Sequence, residues 1–188
     1  MLLVGLTTAS PASAQLHWDV GAQAGAAKRF TTGGDGGPAP GFGPIFGLQG
    51  HVAVIPMVRA GLYLEQDVSP AGDGGPRTFW AGGLHVRVTP PLLASPWRTW
   101  LYAGAGYAYA YSKAVHTDGG LLDLPVGLGL GRRLGRGPWL VFAEVGARFG
   151  LLFYGAMYDH TAARPDGAPY VGQDSFALTA SVGLSLDQ

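Results

Sequence analysis

Cysteine is absent from this 188-residue chain. That excludes disulfides, thiolate metal sites and cysteine nucleophiles. Charge is scarce: Asp, Glu, Lys and Arg make up 13% of the residues, against roughly 25% in an ordinary soluble domain. The 12 basic and 12 acidic residues cancel. No basic excess stands ready to neutralise phosphates, so nucleic acid is excluded as a partner. Long apolar runs are missing too. Hydrophobic residues reach 47%, yet no stretch approaches the ~20 consecutive apolar residues of a transmembrane helix. The apolar content is high but dispersed, and 32 glycines make the chain a poor helix former. The length suits a single domain.

The first residues resemble an export signal. Leu2 to Leu6 form an apolar core, without a basic segment before it, and Ala12-Ser13-Ala14 is a small-residue cleavage site. Residues 1–14 therefore read as a signal peptide, and residues 15–188 as one β-barrel domain beginning at Gln15.

From Gln15 on, the dominant period is two rather than 3.6. Leu16, Trp18, Val20, Ala22, Ala24 and Ala26 alternate with His17, Asp19, Gly21, Gln23 and Gly25. Phe46, Leu48, Val52 and Val54 alternate with Gly47, Gln49 and His51, and Val58, Ala60, Leu62 and Leu64 with Arg59, Gly61, Tyr63 and Glu65. The pattern returns around Trp80–Val88, Leu101–Tyr109, Leu122–Gly131, Val141–Phe149 and Phe176–Leu186. That makes about eight strands of roughly 10 residues, the length that crosses a bilayer at a steep tilt.

One face of each strand is almost purely aliphatic and aromatic. The other carries glycine, small polar groups and isolated charges. Were the apolar face turned inward, the glycine-rich face would have to meet water, and a wetted surface needs far more Lys and Glu than this chain has. Turning the apolar face to lipid removes the difficulty, because closure pairs every backbone group and leaves no edge. The sequence thus predicts an all-β fold: an eight-stranded antiparallel up-and-down transmembrane β-barrel with short periplasmic turns and long outer loops.

Connection lengths agree. Ile55-Pro56-Met57, the stretch Pro90–Trp97 and Gly135–Pro138 are short. Thr31–Gly41, Asp67–Pro76, Ser112–Gly120 and Gly150–Gln173 are longer, and each contains an Asp-Gly step suited to a tight turn: Asp35-Gly36, Asp73-Gly74, Asp118-Gly119 and Asp166-Gly167. Aromatics gather near strand ends. Trp18, Trp97, Trp100 and Trp139 read as a periplasmic girdle, and Trp80, Tyr107 and Tyr109 as part of an outer one.

The segments Leu101-Tyr-Ala-Gly-Ala-Gly-Tyr107, Leu124-Pro-Val-Gly-Leu-Gly-Leu130 and Phe142-Ala-Glu-Val-Gly-Ala-Arg148 resemble the small outer-membrane barrels of the OmpA transmembrane-domain and OmpX type. The resemblance covers nearly everything from Gln15 to Gln188 and specifies architecture rather than chemistry. It implies residence in a Gram-negative outer membrane, with both termini periplasmic and the lipid bilayer as partner. Barrels of this type usually end in an aromatic residue. This chain ends Leu184-Ser-Leu-Asp-Gln188, a departure from that pattern.

The expected lumen holds a polar network of Asp19, His51, Arg59, Glu65, His85, Arg87, Asp123, Glu144 and Arg148. In a low-dielectric interior such charges must pair. Pairing suits a structural plug that fixes register; exchangeable pairs would instead make an ion path. An enzyme would need a nucleophile beside a base. Lipid A deacylase barrels set His and Ser together on the lipid-facing surface, but none of the five histidines has a Ser within two residues. No catalytic, cofactor or metal residues are assigned: lone Asp residues among loop glycines suit turns better than calcium. The Gly127–Gly135 stretch lacks the Gly-Lys-Ser/Thr of a phosphate loop. The apolar start of Gly150–Gln173 reads as a continuation of strand seven, or as a patch for a surface partner.

The reading is a monomeric, non-enzymatic barrel with a structural or surface-interaction role through its outer loops, lipopolysaccharide or a surface ligand among their candidate partners, and at most a narrow gated pore. Two alternatives are a soluble lipocalin- or avidin-like binding barrel, apolar face inward, and a lipid-modifying outer-membrane enzyme.

Overall fold

A computed structural model describes residues 17–32, 41–70, 76–112, 116–155, 157–158 and 173–188. The signal-peptide reading at residues 1–14 lies outside them, as do His160 and three of the four Asp-Gly steps.

Eight strands follow in chain order: β1 (Trp18–Thr32), β2 (Phe42–Ile55), β3 (Val58–Ser69), β4 (Arg77–Val88), β5 (Trp97–Ser112), β6 (Thr117–Arg133), β7 (Trp139–Tyr154) and β8 (Gln173–Asp187). Each pairs antiparallel with the next, and β8 closes on β1, with Asp19 opposite Asp187 and Arg29 opposite Ala177. Closure leaves no unpaired edge.

Period two decides which residues face out. Along β2 the even-numbered residues Phe46, Leu48, Val52 and Val54 are exposed, while Ile45, Gly47, Gln49 and His51 are buried. On β6, Val126, Leu128 and Leu130 point outward and Asp123, Gly129 and Gly131 point in. The apolar face is therefore the exterior one on every strand, which removes the premise of the lipocalin-like alternative. On β7 the outward residues between Trp139 and Phe149 are Val141, Ala143, Val145 and Ala147. Ten residues at about 3.3 Å each, tilted by about 40°, give a belt about 25 Å tall, the height of the apolar band of a membrane barrel.

Turns 56–57 and 134–138 and the connection 89–96 lie at the end of the barrel that also holds the start of β1 and the end of β8. Gly135 supplies the left-handed φ of +61° that the β6–β7 hairpin needs, and Leu134 N–H closes the turn onto the Trp139 carbonyl at 2.9 Å.

At the opposite end the strands run further than expected. β3 continues to Ser69, and β7 continues to Tyr154. β6 begins at Thr117, so Asp118-Gly119 is not a turn; it pairs with Tyr111 and Ala110, and the positive φ falls on His116 instead. Near the end of β7 a bulge sets Leu152 at a φ of +52°, with the register shifting between Gly120 and Leu122. The extra residue reverses the alternation. Phe153 consequently turns toward the interior, and Tyr154 outward onto Tyr107, with ring centroids 5.8 Å apart.

Candidate functional site

The interior is a column of ion pairs capped at one end by apolar side chains. All nine residues expected in the lumen point into it. Asp19, His51, His85, Arg87, Asp123, Glu144 and Arg148 are buried, and Arg59 and Glu65 are mostly so. Each sits at an inward position of its strand, so alternation alone aims it at the axis.

At the short-turn end, Arg59 bridges two carboxylates: Asp19 at 2.5 Å and Asp187 at 2.8 Å. Asp187 also accepts from Arg98 and from Arg133, the latter at 2.6 Å. Asp19 accepts from His51 Nδ1 at 2.9 Å and faces Arg87 at 3.5 Å. One level up, Glu144 accepts from Arg87 Nη2 at 3.1 Å and from Trp100 Nε1 at 2.7 Å, and the Arg87 guanidinium lies 4.6 Å over the Trp100 ring. His51 Nε2 meets His85 Nδ1 at 2.9 Å. Tyr102 presents its ring to His85 edge-on, with centroids 4.9 Å apart.

The upper level is centred on Arg148. It binds Asp123 through Nε at 3.0 Å and through Nη2, and reaches Glu65 with Nη1. Tyr63 Oη donates to Asp123 at 2.7 Å, and Gln23 Nε2 to Glu65 at 2.8 Å. Arg29 grips Asp67 with two bonds, at 3.0 and 2.5 Å, and lies 3.6 Å from the centre of the Phe79 ring.

Above this level the interior is mainly apolar, with Ser69, Arg77 and Ser112 buried beyond Phe79 and Ala110 toward the outer end. Met157 and Tyr158, from the β7–β8 connection, are buried against Tyr63, Phe79, Ala81, Ala108, Ala110 and Leu121. The apolar start of this connection is thus partly strand continuation, as one reading of its sequence held, and partly a plug; neither Met157 nor Tyr158 is available as a surface patch.

Trp100 is a correction. Expected in the girdle, it is only 3% exposed and belongs to the lumen. The physical reason is parity. Trp100 shares the inward face with Tyr102, whereas Trp97 and Leu101 face out. Its ring fits because Gly129 lies opposite it on β6: a Cβ there would sit 2.2 Å from the indole. Tyr102 is accommodated in the same way by Gly127. Among the other girdle residues, Trp80, Trp97, Trp139, Tyr107 and Tyr109 are exposed on the outer face and Trp18 is half-buried.

Sequence reasoning missed Arg29, Asp67, Arg98, Arg133 and Asp187 as members of the network. All five lie near strand ends and fall beyond the stretches in which the alternation is clearest. Continuing the inward parity of each strand would have found them.

Two small cavities lie in the column among the described residues. One cavity of about 20 Å³ is lined by residues including Asp19, Arg59, Arg87 and Asp187, and a second of about 20 Å³ by residues including Tyr63, Glu65, Tyr102 and Arg148. Each has room for about one water. Among the described histidines, His51 and His85 are inside the barrel and His17 and His116 lie at its ends. None of these four stands on the apolar belt, where a lipid-facing His and Ser pair would have to be.

A closed eight-stranded barrel with an apolar outside and an ion-paired inside has the fold of the small outer-membrane barrels. Among the solved structures that share it are two with these likenesses. Neisserial surface protein A matches over 90% of this chain and 96% of its own, at 13% identity and a TM-score of 0.62. A major outer membrane protein from Thermus thermophilus matches over 92% of this chain and 99% of its own, at 13% identity and a TM-score of 0.55. At that identity the likeness is one of fold. No protein-family model matches the sequence, nor does any curated protein.

Proposed function

We propose that the protein is a monomeric outer-membrane barrel, with its short turns and termini in the periplasm, that serves as a membrane-anchored scaffold for its outer loops. The observation that carries this reading is the exterior belt. Its outward residues are aliphatic or aromatic through the central ~25 Å apart from Gly50 and Gly82, and among the described residues outward charges occur only near the ends, at Lys28, Asp118 and Arg132. In water such a belt would be a very large apolar patch. In lipid it is the expected surface. Trp18, Trp97 and Trp139 at one rim, and Trp80, Tyr107 and Tyr109 at the other, act as interfacial anchors.

The ion-paired interior supports a structural rather than a transport role. Its charges hold one another, Met157 and Tyr158 fill the lumen toward its outer end, and the two cavities found among the described residues are each of single-water size. Interaction with the outside then falls to the loops, where lipopolysaccharide or another surface ligand would bind, and any conductance requires the pairs to exchange partners.

Refolding into phospholipid vesicles tests the reading. The chain should float with the vesicles after a carbonate wash and give negligible conductance steps in a planar bilayer. A folded chain that stays in the aqueous fraction would refute it.

A further inference from the structure

The ion-pair column is not electrically balanced at the short-turn end. Glu144, Arg87, Asp19, Arg59, Asp187, Arg98 and Arg133 form one continuous chain of contacts. It contains four guanidinium groups and three carboxylates. The donors are also in excess: four guanidiniums carry about twenty N–H groups, while three carboxylates offer about twelve acceptor sites. His51 and Trp100 take up two of those acceptors as well.

The surplus shows at a particular atom. Arg87 is only 5% exposed, and its Nε has no hydrogen-bond partner. Arg87 lines a cavity of about 20 Å³ together with Asp19, Arg59, Thr89, Arg98, Trp100, Leu140 and Asp187. Two further cations, Arg132 and Arg136, are exposed at the same end of the barrel. The acidic side chains at that end among the described residues are Asp19, Asp187 and Glu144, all already engaged. An anion approaching this mouth meets a positive field, and the low-dielectric walls of the barrel strengthen it.

We propose that this cavity is a binding site for one small monovalent anion of about chloride size. A water could fill the space, but it brings no charge and presents two more donors to a site already rich in them. A halide only accepts and cancels the surplus positive charge. The barrel then carries an anion as part of its polar core, held by Arg87 from the inside and reached past Arg98, whose side chain is 37% exposed at the mouth. The site stands on the interior geometry and does not depend on what the outer loops bind.

Chloride-35 line broadening tests the proposal on the full chain refolded in detergent micelles. Sodium chloride would be titrated against sodium gluconate at constant ionic strength. The expected result is saturable broadening that bromide reverses. It should weaken about tenfold or more in Arg98→Gln, which removes the surplus charge yet leaves Asp187 its bonds to Arg59 and Arg133. Arg136→Gln, at an exposed arginine outside the cavity, should titrate like the unaltered protein. Gel mobility before and after boiling reports whether each variant is folded. Should Arg98→Gln not fold, the unaltered protein still decides: chloride should raise its heat-unfolding midpoint above that in gluconate. Equal midpoints without saturable broadening, or equal broadening in folded Arg98→Gln, would overturn the site and leave water as the occupant.

Discussion

Leu128→Arg separates a lipid-facing exterior from a wetted one. Leu128 points outward from β6 and is 53% exposed. It pairs with Leu101 on β5 and Val145 on β7. Val145 is six residues from Trp139 and four from Phe149, which puts this level about 15 Å from one rim and about 10 Å from the other, close to the belt's middle. An arginine at the midplane of a membrane barrel costs about 2–4 kcal/mol, or roughly 30- to 1000-fold in the folding equilibrium. The same strand carries its own depth control. Arg132 faces outward four residues on, about 10 Å nearer the short-turn rim, with its guanidinium 5.5 Å from the Trp97 ring, where such a charge costs about 0–1 kcal/mol. Leu130→Arg should fall between. The assay is urea unfolding in phospholipid vesicles, followed by tryptophan fluorescence. If the exterior met water, an exposed Leu→Arg change would stay within about 0.5 kcal/mol of the unaltered protein. A shift that small for Leu128→Arg would refute the belt.

Other predictions concern the interior. Gly129→Val drives a side chain into the Trp100 indole and should cost about 1–3 kcal/mol or block folding, whereas Gly50→Ala, whose added Cβ meets nothing nearer than 3.6 Å, should change little in the same urea assay. Glu144→Ala takes the carboxylate from Arg87 and Trp100, leaving the buried Arg87 only Asp19, at 3.5 Å, as a carboxylate partner among the described residues, and should cost about 3–5 kcal/mol. Met157→Ala opens the apolar cap and should lower stability by about 2–5 kcal/mol, with a larger conductance in planar bilayers as its second readout.

Much of this fold is legible in the chain because a barrel wall writes its two faces at alternate positions. Val126, Leu128 and Leu130 against Gly127, Gly129 and Gly131 already state which side meets which medium, once the shortage of charge excludes a wetted exterior. Trp100 is misleading because it stands near a strand end, where girdle residues gather, while its parity with Tyr102 turns it inward. The ends of the column were harder to read. Asp187 gathers three arginines from β3, β5 and β6, and nothing local to the last strand signals them. The cap of Met157 and Tyr158 depends on how the β7–β8 connection folds back, and the bulge at Leu152 that turns Phe153 inward breaks the very alternation that made the rest readable.

A closed barrel with an apolar exterior takes lipid or detergent as its solvent. Electrophoretic mobility of the chain refolded in micelles, loaded with and without boiling, tests it most directly. Two bands are expected: a compact form that resists the gel detergent at room temperature and a boiled form that migrates apart from it. A single mobility under both conditions, from a chain that folds without any detergent, would contradict it.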